Sequence, residues 1–333
     1  MNLLILGGTK FLGRHLVEAA LASNHRVTIF NRGTRAGLFP QVEELRGDRS
    51  QGAQGLSALH GRQWDAVIDT CGYIPRLVRA SAEALRDSVG RYVFVSSISV
   101  YSEFSEGPDE ASPVAELTDA SSEDIPRDYG ALKAACERVV TAMYGERALN
   151  IRPGLIVGPF DPTGRFTYWP VRIARGGEVV APADPAADVQ FIDARDLARW
   201  MVALAARNVG GVFNATGPAQ RLRFGAFLDI AARALDARCR FTWINGGFLR
   251  EQGVQAWTEL PLWVDDAPGL NRTSIARALD AGLAFTALEK TVTDTNAWAQ
   301  AHVREHGSES LGTAGLDSEK ESRVLAAWTH RVR

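Results

Sequence analysis

The sequence has few cysteines, no long apolar run and almost no excess of one charge. Only three of its 333 residues are cysteine (Cys71, Cys136 and Cys239), and no two of them form a C-x-x-C pair. An odd and scattered set favours reduced thiols in a cytoplasmic protein over a disulfide framework. No stretch approaches the ~20 apolar residues that span a bilayer, and the N-terminus lacks the basic and apolar regions of a secretion signal. We therefore expect no membrane partner.

Charge and histidine content exclude two further classes of site. The 37 Lys and Arg and 39 Asp and Glu residues leave a formal net charge of −2, which does not suit a surface that neutralises phosphate backbones, so we expect no nucleic-acid partner. Among six histidines, His302 and His306 are spaced to share a helix face, but no third ligand stands near them. We predict no metal site. Glycine, in contrast, is abundant, with 31 residues.

The first 150 residues alternate between short apolar runs and amphipathic helical patterns. The predicted strands are 3–6, 26–30, a weak 42–45, 65–70, 91–97 and 149–151, and the predicted helices are 12–23, 75–89 and 128–144. Strands that alternate with helices predict βαβ units with right-handed crossovers and a parallel sheet. The expected fold class is therefore α/β, with a Rossmann-type doubly wound parallel sheet and a smaller C-terminal lobe.

The pattern changes after residue 153, where two segments rich in Gly, Pro and Asp, 153–170 and 176–190, are predicted to be loops. We predict a dinucleotide-binding domain over 1–155, to which a strand and a helix around 190–216 return. The remaining residues, 156–333, are predicted to form mainly a substrate-binding lobe and C-terminal helices. The aromatic segment 160–169 either lines a partly apolar substrate pocket or packs between the lobes.

A glycine motif lies between the first predicted strand and the first predicted helix. It reads Gly7-Gly8-Thr9-Lys10-Phe11-Leu12-Gly13. Gly7 allows a tight turn, Gly13 allows close helix–strand packing, and the backbone N–H groups of the helix N-terminus face a pyrophosphate. Lys10 replaces the usual middle glycine and supplies a cation beside the phosphates. This context predicts a dinucleotide site, against the alternative of a plain strand-to-helix turn.

The end of the second predicted strand indicates which dinucleotide binds. NAD-binding folds usually carry an acidic residue there for the ribose hydroxyls. This sequence has Asn31, Arg32 and Arg35 instead and no carboxylate. The two guanidinium groups suit a 2′-phosphate, so NADP is favoured, with NAD possible. A solvated basic turn is the alternative.

Tyr129 and Lys133 stand four residues apart, on one face of a predicted helix. A free phenol has a pKa of ~10, and a nearby ammonium group would lower it enough for proton exchange with a carbonyl or alcohol. Ser97, at the carboxyl end of the predicted strand 91–97, is placed to hydrogen-bond the same oxygen. A solvated helical pair is the common alternative for this spacing.

Five stretches together resemble the extended short-chain dehydrogenase/reductase family, the NAD-dependent epimerases and dehydratases. They are the glycine motif, residues 95–101, Tyr129-x-x-x-Lys133, residues 152–159 and residues 190–198. The resemblance implies that Tyr129 is the acid/base, that Lys133 binds the nicotinamide ribose and that Ser97 polarises the substrate oxygen. It also implies an adenine contact at Asp48, a backbone passage along the cofactor at Thr70 and Cys71, and a nicotinamide lining at Pro153.

The departures from the family pattern shape the predicted function. Ile98 and Ser99 stand where a 4,6-dehydratase usually has Asp-Glu, and Arg165 only loosely matches the arginines that hold nucleotide diphosphates. We expect an NAD(P)-dependent oxidoreductase that acts on a carbonyl or secondary alcohol of a small molecule. A nucleotide-sugar-type epimerase with tightly bound NAD is the alternative, and a non-catalytic sensor or RNA-binding relative is a third. A homodimer is compatible with the resemblance.

Overall fold

The computed structural model describes residues 1–35, 37–207, 209–265 and 267–331. Numbered in chain order within these ranges, the strands are β1 (Asn2–Leu6), β2 (Arg26–Asn31), β3 (Glu43–Arg46), β4 (Trp64–Asp69), β5 (Val89–Val95), β6 (Ala148–Pro153), β7 (Ile156–Val157), β8 (Gly177–Pro182), β9 (Asp188–Val189), β10 (Ile192–Asp193), β11 (Gly211–Ala215), β12 (Leu222–Arg223) and β13 (Cys239–Ile244). The α-helices are α1 (Phe11–Ala22), α2 (Gly52–Gly55), α3 (Pro75–Ala84), α4 (Ile125–Tyr144), α5 (Tyr168–Ala174), α6 (Ala194–Ala206), α7 (Phe224–Ala234), α8 (Gly246–Glu251), α9 (Ala276–Asp280), α10 (Leu288–His306) and α11 (Ser318–Arg331).

One seven-stranded parallel sheet organises the N-terminal part of the chain. Its strand order is β11-β6-β5-β4-β1-β2-β3, and each neighbouring pair is parallel. The order runs outward in both directions from β1 and β4, so the connections diverge there and leave a crevice at the carboxyl ends of these strands. The structure confirms the predicted α/β doubly wound parallel sheet.

The side chains of β1 show how the sheet is buried on both faces. Leu3 and Ile5 belong to the core beneath α1 and α6, whereas Leu4 and Leu6 belong to the core beneath α3 and α4. All four are at most 1% exposed. Successive strand residues point to opposite faces, so a continuous apolar run is what a strand covered on both sides requires.

The C-terminal lobe has its own core and a strand that the sequence patterns did not predict. Phe166, Trp169, Phe224 and Phe227 are buried there among α5, α7 and α8. The prediction that 176–190 forms a loop was wrong, because Gly177–Pro182 is strand β8, paired in parallel with β13. The segment 153–170 likewise contains β7 and the start of α5. The apolar run within β8 is only three residues long, which concealed it between glycines and prolines.

Two details of the N-terminal part position the site. The helix predicted over 128–144 begins earlier, at Ile125, because the Asp124 carboxylate caps it by accepting the Arg127 N–H. The helix is interrupted at Asp128 (φ −111°, ψ 20°), directly before Tyr129.

Strand β11 lies at the sheet edge beside β6, so the chain returns to the first sheet after residue 190. The division of the chain at residue 155 stays a prediction.

Within the described ranges, none of the helices combines the length and apolar character needed to cross a membrane. The same part of the chain groups no three His, Cys, Asp or Glu side chains in a way that would hold a metal ion. His302 and His306 stack on each other along α10, with ring centroids 4.5 Å apart.

Candidate active site

A cavity of about 690 Å³ opens at the carboxyl ends of β1, β4, β5 and β6. It brings together nearly every residue that the sequence singles out, although these residues come from segments far apart in the chain. The predicted residues that line it are Gly7, Gly8, Thr9, Lys10, Phe11, Leu12, Gly13, Asn31, Arg32, Asp48, Thr70, Cys71, Ser97, Tyr129, Lys133 and Pro153. Arg35 is exposed and is not among the lining residues.

The glycine motif forms a tight turn that other residues would not tolerate. Gly7 and Gly8 have φ values of +110° and +90°, and a Cβ on Gly7 would lie 2.4 Å from Thr70 Oγ1. A Cβ on Gly13 would lie 2.7 Å from the Gly8 nitrogen. Lys10 is the N-cap of α1 and gives it no side-chain hydrogen bond. The backbone therefore approaches the cavity closely, and the helix N-terminus faces it.

The cavity also contains polar groups that suit a nucleotide. Asn31 Nδ2 and Ser96 Oγ are buried and have no hydrogen-bond partner among the described residues, and both residues line the cavity. Buried polar atoms are normally paired, so these two fit a polar ligand. Hydrogen bonds from Ser50, with smaller contributions from the charges of Arg32 and Arg49, hold the pKa of Asp48 below its ordinary value.

A buried ion pair lies beneath the cavity. Arg49 donates from Nη1 to Asp69 Oδ2 at 3.0 Å and from Nη2 to Asp69 Oδ1 at 2.8 Å, and the Tyr92 hydroxyl donates to Oδ2 at 2.9 Å. Burial opposes ionisation of Asp69, but the Arg49 guanidinium outweighs it and holds the pKa of this carboxyl below its usual value. No motif pointed to this pair. The only signals are that Arg49 follows Asp48 and that Asp69 lies next to the end of a predicted strand.

Cys71 follows β4 and is tied to the same pair. Its backbone N–H donates to Asp69 Oδ1 at 3.0 Å, and its Sγ lies 3.3 Å from Arg49 Nη2. Burial raises the pKa of Cys71 to about 11, and the residue lines the cavity. The thiol is therefore protonated at neutral pH.

Ser97 and Tyr129 are brought together by a close approach of α4 to the end of β5. A Cβ on Gly130 would lie only 2.0 Å from the Ser99 carbonyl oxygen, so only glycine allows this approach. The Ser97 hydroxyl accepts the Ser99 N–H at 3.1 Å. Burial raises the pKa of Tyr129, while a hydrogen bond with Ser97 and the charge of Arg165 act in the opposite direction.

Lys133 is a buried residue of the cavity lining whose ammonium group is held by backbone carbonyls and aromatic rings. Its Nζ donates to the carbonyl oxygens of Gly72 at 2.7 Å and Val95 at 2.5 Å. It also lies 4.9 Å from the ring centroid of Tyr73 and 4.5 Å from that of Phe94. Burial lowers the pKa of Lys133 to about 8.

The sequence led us to expect that Lys133 lowers the pKa of Tyr129, and this structure does not meet that expectation. The phenol pKa is raised, and the groups that oppose the rise are Ser97 and Arg165. The physical reason is that the ammonium group is directed at the two backbone carbonyls. Arg165 itself lies over the Trp257 ring, 5.3 Å from its centroid.

Most of the aromatic residues of segment 160–169 pack in the core and do not line this cavity. Phe166 and Trp169 are fully buried in the C-terminal core. Phe160 lies under the Arg14 guanidinium, 3.7 Å from the ring centroid, and 5.6 Å from the Trp298 ring. Of the two roles that the sequence left open for this segment, the structure supports packing.

A doubly wound sheet with a glycine turn at its switch point is the arrangement that dinucleotide-binding α/β proteins share. Residues 74–216 match the model of the NAD dependent epimerase/dehydratase family. This match over less than half of the chain agrees with the resemblance that its motifs indicate.

Two curated proteins are similar in sequence. A 2'-dehydrokanamycin reductase of Streptomyces kanamyceticus is 29% identical over 220 residues, which cover 62% of this chain and 59% of the reductase. The chloroplast stem-loop binding protein of 41 kDa b of Arabidopsis thaliana is 30% identical over 114 residues, 30% of each chain. The chain thus spans less than two thirds of the length of either relative.

Solved structures show the same fold over nearly the whole chain. A UDP-glucuronic acid 4-epimerase from Bacillus cereus in complex with NAD aligns with a TM-score of 0.63 at 15% identity, covering 94% of this chain and all of that one. The enzyme WbmH of Bordetella bronchiseptica in complex with NAD+ aligns with a TM-score of 0.66 at 18% identity, covering 92% and 99%.

Proposed function

We propose that this protein is an NADP-dependent oxidoreductase that transfers hydride between the nicotinamide and a carbonyl or secondary alcohol of a small molecule. One observation carries the proposal: a single cavity is lined by the glycine turn, Arg32, Ser97, Tyr129 and Lys133. Similarity to a curated reductase supports the reaction class. The chemistry needs both a dinucleotide and a proton donor, and this cavity offers residues for each.

Each lining group has a role in the proposed reaction. The nicotinamide supplies or accepts the hydride when it is bound. The backbone turn at Gly7 and Gly8 and the N-terminus of α1 hold the pyrophosphate. Tyr129 gives its hydroxyl proton to the substrate oxygen in the reduction and takes it back in the oxidation, and Ser97 hydrogen-bonds the same oxygen. Lys133 holds the nicotinamide ribose from below.

The raised pKa of Tyr129 fits a proton donor. A phenol that keeps its proton at neutral pH can act as the general acid in carbonyl reduction. Abstraction of an alcohol proton by the tyrosinate would need high pH. We therefore infer that Tyr129 enters the reduction as the protonated phenol at neutral pH, and that oxidation of the corresponding alcohol accelerates as pH rises.

The choice of NADP rests on Arg32, which lines the cavity, and on the absence of a carboxylate at the end of β2. Replacing Arg32 with Ala should weaken NADPH binding about tenfold, the worth of one charge-assisted contact, and leave NADH binding unchanged. The measurement is a titration followed by tryptophan fluorescence. Arg35→Ala is the matched control, because Arg35 does not line the cavity. Tighter binding of NADH than of NADPH to the unmodified protein would refute the proposal.

The acid/base role is tested by removal of one oxygen atom. With a ketone, imine or sugar substrate found by a screen of NADPH oxidation, Tyr129→Phe should lower kcat by at least about a hundredfold. Tyr73→Phe, which removes a neighbouring hydroxyl but keeps the ring beside Lys133, should retain activity. Normal turnover by Tyr129→Phe would exclude the assignment.

The alternatives predict different outcomes in the same experiments. An epimerase would retain NAD through purification and convert a nucleotide sugar without net NADPH consumption. A non-catalytic relative would bind RNA at moderate salt. We further propose a cytoplasmic protein with a small-molecule substrate and no nucleic-acid or membrane partner. A homodimer is proposed as well, which sedimentation would test.

A further inference from the structure

A second cavity lies in the C-terminal lobe. It is separate from the cavity at the carboxyl ends of β1, β4, β5 and β6, which we call the nucleotide cavity. It has a volume of about 620 Å³ and opens between α5, α10 and the segment 308–318. No residue lines both cavities. The volume lies within the range of about 300–1,000 Å³ that is typical of small-molecule pockets. The second cavity is therefore large enough for a ligand of its own.

Close glycine contacts hold the wall of this cavity in place. Gly312 (φ +93°) lies where a Cβ would meet the Thr163 backbone at 2.6 Å. Gly315 (φ +123°) lies where a Cβ would meet the Tyr168 ring at 2.5 Å. Glycine alone fits these two positions, because any side chain would clash and the backbone is in the left-handed region. The segment 308–318 is thus shaped to its neighbours on the far side of the cavity.

The interior of the cavity is mainly apolar but contains a buried hydroxyl group without a partner. The apolar lining comes from Val171, Ala299, Val303, Leu311 and Leu316. Thr167 Oγ1 belongs to a lining residue, is buried, and has no hydrogen-bond partner within the described ranges. Tyr168 Oη is buried as well and lies against the backbone N–H of Leu316. Unpartnered buried hydroxyls are uncommon in folded proteins. An apolar body with a few polar atoms suits this interior.

Positive charge at the rim sets the charge of the ligand. Arg175 and Arg304 are exposed lining residues, and neither forms an ion pair with a carboxylate in the described part of the chain. A third lining arginine, Arg172, is already paired with Glu321 at 2.6 Å. The acidic lining residue Asp317 is used at the start of α11, where its Oδ1 accepts the Lys320 N–H at 2.8 Å. Two guanidinium groups therefore remain for a ligand.

We propose that this cavity binds an amphiphilic monoanion, a molecule with a compact apolar body and one carboxylate or sulfonate group held by Arg175 and Arg304. The site is separate from the atoms of the proposed reaction and does not depend on that proposal. It borders the nucleotide cavity, because Thr163, which lines that cavity, is the residue that Gly312 contacts.

Two fluorescent probes with nearly the same aromatic body test the site and the charge. Anilinonaphthalene sulfonate carries the negative charge, and N-phenylnaphthylamine is neutral. On the full chain with saturating NADPH, we expect one anilinonaphthalene sulfonate site per chain. The neutral probe should bind at least about tenfold more weakly, because it lacks the charge-assisted contacts.

Variants locate the probe. Arg175→Ala combined with Arg304→Ala should weaken binding of the sulfonate about tenfold or more. Val303→Trp, which fills the cavity, should abolish it. The control Arg323→Ala removes the same charge from an exposed position on α11 outside the lining and should leave binding unchanged. Circular dichroism checks folding, and the double arginine variant stays informative if Val303→Trp does not fold.

Several results would overturn the proposal. These are the absence of any sulfonate binding, displacement of the probe by NADPH, equal binding of the neutral probe, and unchanged binding in the double arginine variant. Displacement of the sulfonate by octanoate would assign the site to carboxylates, whereas retention of the sulfonate would assign it to sulfonates.

Discussion

Asp69→Asn exchanges one carboxylate oxygen for an amide nitrogen at a fully buried position. The carboxylate is 0% exposed and accepts hydrogen bonds from Arg49, Tyr92 and the Cys71 N–H. The amide nearly keeps the shape but removes the negative charge, so the Arg49 guanidinium is left without a counter-ion. Breaking one partner of a buried pair costs about 3–5 kcal/mol. Because the Arg49 side chain keeps 10% exposure, we expect a loss near the lower end, about 3 kcal/mol.

Urea denaturation, followed by circular dichroism and tryptophan fluorescence, measures this loss. The matched control is Asp65→Asn, which makes the same chemical change in the same strand at an exposed position. Asp65 Oδ2 accepts one N–H, from Asn2, and the amide oxygen of an asparagine can accept it as well. We expect no measurable change in the free energy of unfolding for this control.

The acid limb of the stability curve gives an independent check. The folded-state pKa of Asp69 lies below its unfolded value, so its ionisation contributes stability above the unfolded pKa of about 3.9. That contribution is lost as the pH falls through the folded pKa. Asp69→Asn should therefore differ most from the unmodified protein near neutral pH and least in strong acid. A loss for Asp69→Asn no larger than that for Asp65→Asn would refute the reasoning that charge burial makes this pair costly to break.

Two further predictions concern the helix that carries Tyr129. Gly130→Ala places a Cβ 2.0 Å from the Ser99 carbonyl oxygen, so we expect α4 to be displaced and turnover to fall about a hundredfold. The control is Gly247→Ala on α8, where the added Cβ meets no backbone atom and activity should stay unchanged. Equal activity of the two variants would contradict this prediction. The pKa of Lys133 is lowered to about 8 in the folded protein, against about 10.4 in the unfolded chain. Between these two pH values the unfolded chain binds more protons, so the free energy of unfolding should rise with pH relative to that of Lys133→Met. If the free energies of unfolding of the unmodified protein and of Lys133→Met, measured in urea, changed equally with pH over that range, the lowered pKa of Lys133 would be contradicted.

Local patterns in the sequence were sufficient for the sheet and for most of the candidate site. The apolar run of β1 predicted a strand, and the glycine motif predicted the turn that follows it. The spacing of Tyr129 and Lys133 depends only on helix periodicity, so the sequence placed them on one helix face. A motif that is contiguous in the chain carries its own geometry, because its backbone conformation is set by its own residues.

Contacts between distant segments were beyond the reach of these patterns. Arg49 meets Asp69 only because the chain folds the segment after β3 against the end of β4, and each residue by itself is an ordinary polar position in the sequence. Strand β8 is short and flanked by glycine and proline, and its partner β13 follows almost sixty residues later. A pair of elements that depends on a remote partner leaves little trace in the local composition.

The sequence by itself thus determined the α/β class, the dinucleotide turn and the residues offered for acid/base chemistry. Only the tertiary structure decided how those residues are used. It directs the Lys133 ammonium to two backbone carbonyls, leaves the phenol of Tyr129 with a raised pKa, and builds a second cavity from α5, α10 and the segment 308–318. The physical reason is that charge, burial and cavity shape depend on which distant groups come into contact, and a linear pattern does not contain that information.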